Sequence, residues 1–156
     1  MGWAEDQAKQ IADAEAAMQK SREWQLHEAA RIKTEAPAFF EKLVNQIQTY
    51  VDEFNAAREA TGVAGVRCDR ASGRIAIIKE SARPAMSVQV QFSQSPVSVG
   101  IYRRTVDVGQ EPRDSSTTMT FSVDPNGNLR LNGNMDVEPI AQLVLGEVFR
   151  SFRPQL

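Results

Sequence analysis

Between residues 39 and 54 the chain reads Phe39-Phe40-Glu41-Lys42-Leu43-Val44-Asn45-Gln46-Ile47-Gln48-Thr49-Tyr50-Val51-Asp52-Glu53-Phe54. Its apolar members recur at steps of three and four, while Glu41, Lys42, Asn45, Gln48, Asp52 and Glu53 take the opposite side, which is the pattern of an amphipathic helix. Eight large side chains on one face must be withdrawn from water, so this helix, over 37–60, is expected to be the central core element. Gly62, after Ala60-Thr61, supplies its stop. At its start Thr34 can serve as N-cap with Pro37 in the first turn. Two courses then stand open: a break at 33–36, or one kinked helix continuing from the residues before it.

Those preceding residues, 1–33, contain Ala, Glu, Gln, Lys and Arg in abundance, and from Trp3 to Lys33 there is neither Gly nor Pro. High helix propensity throughout predicts a long first helix. Its apolar seam is poor: Ala4, Ala8, Ile11, Met18 and Ala29 follow the 3/4 spacing, but Glu15, Arg22 and Gln25 fall on the same line. Such a helix buries little by itself, and Trp3 and Trp24 are out of place on a purely solvated one. It is therefore read as a peripheral or oligomerising helix, with Trp3, Ile11, Met18 and Trp24 as the contact residues of a homo-oligomer, in the first instance a two-fold dimer.

After Gly62 the texture changes to short β-branched runs divided by turn residues, the sign of an antiparallel meander over 63–132. Six strands are expected: Val63–Asp69, Arg74–Glu80, Met86–Ser93, Val97–Val106, Thr117–Val123 and Asn128–Asn132. The third alternates Met86, Val88, Val90 and Phe92 with Ser87, Gln89 and Gln91, so one sheet face is core and the other wet. Asp107–Asp114 is expected to be loop, and Asp124-Pro125-Asn126-Gly127 the last hairpin turn, with Gly127 left-handed. Asp136 or Glu138 then caps a closing helix over 137–152, carrying Ile140, Leu143, Val144, Val148 and Phe149. The fold class is accordingly α+β, in one domain over 1–156: helices, a six-stranded antiparallel sheet, and a helix covering one of its faces.

Composition narrows the chemistry. The chain of 156 residues has one cysteine, Cys68, and one histidine, His27, which removes zinc clusters, intramolecular disulfides and most His-based triads. Cys68 sits in a strand, where its neighbour Arg67 points to the other face, so it reads as a small buried hydrophobe. His27 reads as a surface residue of the first helix. Gly62-Val63-Ala64-Gly65 lacks the further glycine, the lysine and the following helix of a nucleotide loop. No catalytic residue, metal ligand or cofactor site is assigned, and the expected protein is more a binding module than an enzyme.

Charge is unevenly placed: net −4 over 1–62, +3 over 63–135 and −1 over 136–156. The basic middle falls short of the clustered stripe that nucleic acid requires, so nucleic acid is disfavoured as a partner. Its arginines are the most informative polar set. If Arg67, Arg74, Arg103, Arg104 and Arg130 shared the wet face, they would form a guanidinium surface for an anion or a protein partner. On that reading Arg103→Glu with Arg104→Glu should leave the fold intact and weaken an anionic partner. No apolar run is long enough for a membrane span, and the opening residues carry no secretory pattern, so the expected location is the cytoplasm. The leading expectation is a self-associating, non-catalytic interaction module; the alternative is a small-molecule-binding protein or enzyme with its pocket between sheet and helices.

Overall fold

The structure, a computed structural model, describes residues 2–80 and 83–152. It consists of a long helix α1 (Trp3–Ala60), strands β1 (Arg67–Ala71), β2 (Arg74–Lys79), β3 (Ala85–Gln94), β4 (Val97–Val106), β5 (Arg113–Val123) and β6 (Leu129–Leu131), and a helix α2 (Val137–Arg150). The strands lie in one antiparallel sheet in the order β1-β2-β3-β4-β5-β6, each paired with its sequence neighbour. This is the expected α+β meander with a closing helix.

The two helical segments read from the sequence are one helix. Fifty-eight residues run without interruption through Pro37, a length of about 87 Å at 1.5 Å per residue. A proline inside a helix costs about 3 kcal/mol through its lost N–H and its clash with the preceding turn, so both flanks must be held in line. On one side Glu28 accepts from the Val123 N–H (3.4 Å), and Arg31 donates to the Gly127 carbonyl while gripping Glu35 (2.9 Å). On the other, Ala36, Phe39 and Phe40 are buried against the sheet. Thr34 does not cap; its hydroxyl donates to the Ala30 carbonyl one turn back (2.9 Å), as threonine does within a continuous helix.

The core lies between α1, α2 and one face of the sheet. Phe39, Phe40, Leu43, Val44, Ile47 and Val51 of α1 are buried there, whereas Tyr50 and Phe54 are half-buried at the margin. Phe39 meets Phe121 edge-on (5.7 Å), Phe40 packs on Phe92 (5.4 Å), and Phe54 stacks on Phe149 (4.0 Å). From the sheet, Ile75 and Ile77, Val88 and Val90, and Val99 and Ile101 fill the same layer. The register aligns them in rows, with Ile75 opposite Val90 and Val90 opposite Ile101.

The largest departures from the expected strand bounds are in β1 and β5. Strand β1 begins at Arg67 and not at Val63, because the Asn55 side-chain amide takes both the N–H and the carbonyl of Val66 (2.8 and 2.9 Å). Gly65 is required there: a Cβ would sit 2.0 Å from Asn55 Oδ1. Strand β5 begins at Arg113, so Arg113–Ser116, expected in a loop or just outside the strand, pair with Thr105–Tyr102 of β4. Its first six residues are exposed, which erases the alternation by which a strand is recognised in sequence. Strand β6 is shorter than read, Leu129–Leu131, and α2 stops at Arg150 and not at 152. Asp136 occupies the N-cap of α2 in an extended conformation without a side-chain hydrogen bond.

Candidate functional site

Residues of successive strands that stand opposite one another share a face, so the register assigns each of the five candidate arginines to a side of the sheet. Arg67 faces Ile78, Arg74 faces Gln91, Arg104 faces Ser87 and Asp114, and Arg130 faces Ser122, all on the side away from the helices. Arg103 faces Val88 and belongs to the helix side. There its Nη2 donates to the Leu143 carbonyl of α2 (3.1 Å), and its buried Nη1 has no partner among the described residues. Arg103 therefore ties β4 to α2 on the helix side of the sheet. A charge reversal at Arg103 puts an acid beside the helix carbonyl, so the double reversal with Arg104 is not the surface change the sequence suggested.

The four solvent-side arginines do not form a cluster. They are distributed from β1 to β6, five strand spacings or roughly 24 Å apart at the extremes. Three have carboxylates beside them: Arg67 lies 3.5 Å from both Asp69 and Glu80, Arg104 is 3.9 Å from Asp114, and Arg130 is 2.9 Å from Asp124. Asp124 also accepts from the backbone N–H groups of Asn128 and Asn126, and these bonds with Arg130 hold its carboxyl below the usual range. Arg130 is thus a hairpin brace. We expect Arg103→Ala to cost about 1–2 kcal/mol through the lost charge-assisted bond to α2, and Arg104→Ala about 0.5 kcal/mol or less. Urea unfolding of the two variants checks the difference, and equal costs would place Arg103 in solvent.

The solvent face does carry one concave feature, an open groove of about 420 Å³ bordered by Ser87, Gln89, Tyr102, Arg103, Arg104, Asp114, Ser115 and Ser116. The Tyr102 ring lies over Gly100, where an added Cβ would come within 2.9 Å of it. The groove offers hydroxyls, an amide and one loosely paired arginine, and its strand-parity signal, Gly100 and Tyr102 on the wet side of β4, was present in the sequence.

The first seven turns of α1 are the second candidate. Every residue from Trp3 to His27 is exposed, so this arm projects from the body of the domain. Trp3 is 78% exposed, Ile11 57%, Met18 58% and Trp24 48%, and Leu26, which the sequence reading passed over, is 72% exposed. The structure brings none of them onto the sheet. His27 lies beside Trp24 (6.2 Å between rings) on the same arm. Cys68 is half-buried on the helix side of β1, with Sγ 3.4 Å from Gln48 Oε1, and burial, followed by Asp52 and Asp69, raises its thiol pKa. That environment disfavours the thiolate. Among the described residues no group of three or more His, Cys, Asp or Glu side chains is arranged to hold a metal, and no helix is long and apolar enough to cross a membrane.

No family model, curated protein or solved structure matches this chain.

Proposed function

We propose that this protein is a self-associating, non-catalytic interaction module whose contact element is the projecting half of α1. The observation that carries the reading is the exposure of five large apolar side chains, Trp3, Ile11, Met18, Trp24 and Leu26, on one arm whose residues from Trp3 to His27 are all exposed. Large apolar groups gathered on one protruding element mark a binding surface. The space between sheet and helices supports the same reading: Leu43, Ile47, Val88, Val90, Val99 and Val144 are each no more than 2% exposed and occupy it. Sedimentation equilibrium on the full chain and on a variant lacking residues 2–27 tests the proposal. The full chain is expected to be dimeric and the shortened one monomeric with its thermal transition retained; a monomeric full chain overturns it.

A second reading, binding of a small molecule, is favoured by a recess of about 410 Å³ where the arm leaves the body. Pro37, Phe92 and Val97 supply its apolar wall, and Lys33, Gln94 and Ser95 its polar rim. That mixture suits an amphipathic ligand. Native mass spectrometry separates the readings, since a reproducible adduct lost on denaturation supports the ligand.

A further inference from the structure

Resting on the self-association just proposed, we infer that the partner of the arm is a second copy of the same arm, laid antiparallel about a two-fold axis that passes beside Met18 and Gln19. The inference begins with the two charged residues on the seam. Glu15 and Arg22 flank Met18, and Glu15, Met18, Gln19 and Arg22 line one groove along the arm. At 100° per residue, Ile11 and Met18 share the azimuth of Ala36 and Ile47 to within about 20°. The stripe on the arm thus continues the face by which α1 covers the sheet, but beyond the sheet no described residue covers it.

A two-fold axis at this point sets each residue opposite the residue of the other copy whose number brings the pair to 37. Glu15 of each copy then meets Arg22 of the other, twice over. Ile11 meets Leu26, Ala8 meets Ala29, and the two Met18 side chains adjoin at the axis. A parallel pair would instead set Glu15 against Glu15 and Arg22 against Arg22, each repulsive. The wider charge pattern agrees. Residues 3–18 carry Lys9 against Glu5, Asp6, Asp13 and Glu15, a net of −3, and residues 19–34 carry Lys20, Arg22, Arg31 and Lys33 against Glu23 and Glu28, a net of +2. The antiparallel arrangement lays the first stretch on the second. Alanines at the outer contacts permit close approach of the two backbones, as small residues do in tightly packed helix pairs.

Single cysteines introduced into a Cys68→Ser background give the direct test under mild oxidation. Met18→Cys is expected to cross-link to itself. Ala8→Cys and Ala29→Cys are each expected to fail alone and to cross-link when mixed. Efficient self-cross-linking of Ala8→Cys means parallel arms and overturns the orientation while leaving self-association standing. In sedimentation equilibrium, Glu15→Arg should weaken the dimer roughly tenfold or more by replacing two attractions with two repulsions. Glu15→Arg with Arg22→Glu should restore it. Circular dichroism confirms that each variant keeps its helix. An unchanged dimer in Glu15→Arg also overturns the proposal without touching self-association, whereas a dimer that survives deletion of residues 2–27 overturns it together with the arm as contact element. A full chain that stays monomeric at the highest concentration reached overturns both.

Discussion

Phe40→Ala is expected to lower the stability of the fold by about 3–5 kcal/mol, the cost of emptying a fully enclosed aromatic site. Phe40 is 3% exposed on the sheet-facing side of α1, with its ring 5.4 Å from that of Phe92 on β3. Phe92 in turn lies 6.5 Å from Phe121 on β5, which meets Phe39 edge-on, so four rings join the helix to two strands of the sheet. Truncation opens a void that neither a rigid helix nor a sheet can close by a small shift. Phe40→Leu keeps most of the volume and should cost less than half as much. Equilibrium urea unfolding followed by circular dichroism measures both. A cost below about 1 kcal/mol for Phe40→Ala would contradict the packing of α1 on the sheet.

Lys79→Ala should cost about 2–4 kcal/mol, through lost packing and lost hydrogen bonds at the end of α2. Lys79 is 1% exposed, yet no carboxylate forms an ion pair with it among the described residues. Its Nζ donates to the carbonyl and the hydroxyl of Ser151, both at 3.0 Å, and stands 4.7 Å from the centre of the Phe152 ring. The ammonium therefore closes the C-terminal end of α2, where carbonyl groups lack helical partners. Burial lowers its pKa, the nearby Arg58 lowers it further, and Asp107 only partly offsets this.

The sign of the pH dependence follows. Below both pKa values the folded and unfolded chains hold the proton alike, and the penalty of the buried charge is present in full. As the pH rises between the lowered value and that of an ordinary lysine, the unfolded chain binds more protons, and stability increases. The raised thiol of Cys68 works in the opposite direction at alkaline pH, so the comparison belongs in a Cys68→Ser background. There the urea midpoint should climb through the alkaline range with Lys79 present and lose that component in Lys79→Met. Equal slopes would show that Lys79 is solvated.

The two cations on the helix side of the sheet, Arg103 and Lys79, were readable by the rule that located the strands. In β4 the inward series Val97, Val99 and Ile101 continues at Arg103, and in β2 the series Ile75 and Ile77 continues at Lys79. The alternation is one of position, not of polarity, and does not stop when the next inward residue is charged. Grouping the arginines by residue type concealed it, and placed Arg103 with Arg104 on one face. Strand β4, by contrast, was bounded at Val97 and Val106 because the turn at Ser95-Pro96 precedes it and a loop follows its last paired residues. Strand β5 was shortened because Ser115, Ser116 and Thr117 are polar on both sides and give no period. The union of the two helices through Pro37 depends on the Arg31 bond to Gly127, ninety-six residues away, which no local pattern contains. Of the candidate surfaces, the seam of the arm was visible in the spacing of Ile11 and Met18, while Leu26, at the azimuth of Ala8, was hidden by the polar Arg22 and Gln25 before it.

The projecting arm also governs how the molecule moves through solution. A compact chain of this length has a radius of gyration near 15 Å, and twenty-five exposed helical residues reach about 38 Å beyond the body. Drag grows with that reach far more than mass does. A single copy must therefore elute from a sizing column ahead of globular standards of equal weight, in the position of a larger protein. Retention and mass are decoupled in this shape, and only scattering or sedimentation at equilibrium counts its copies.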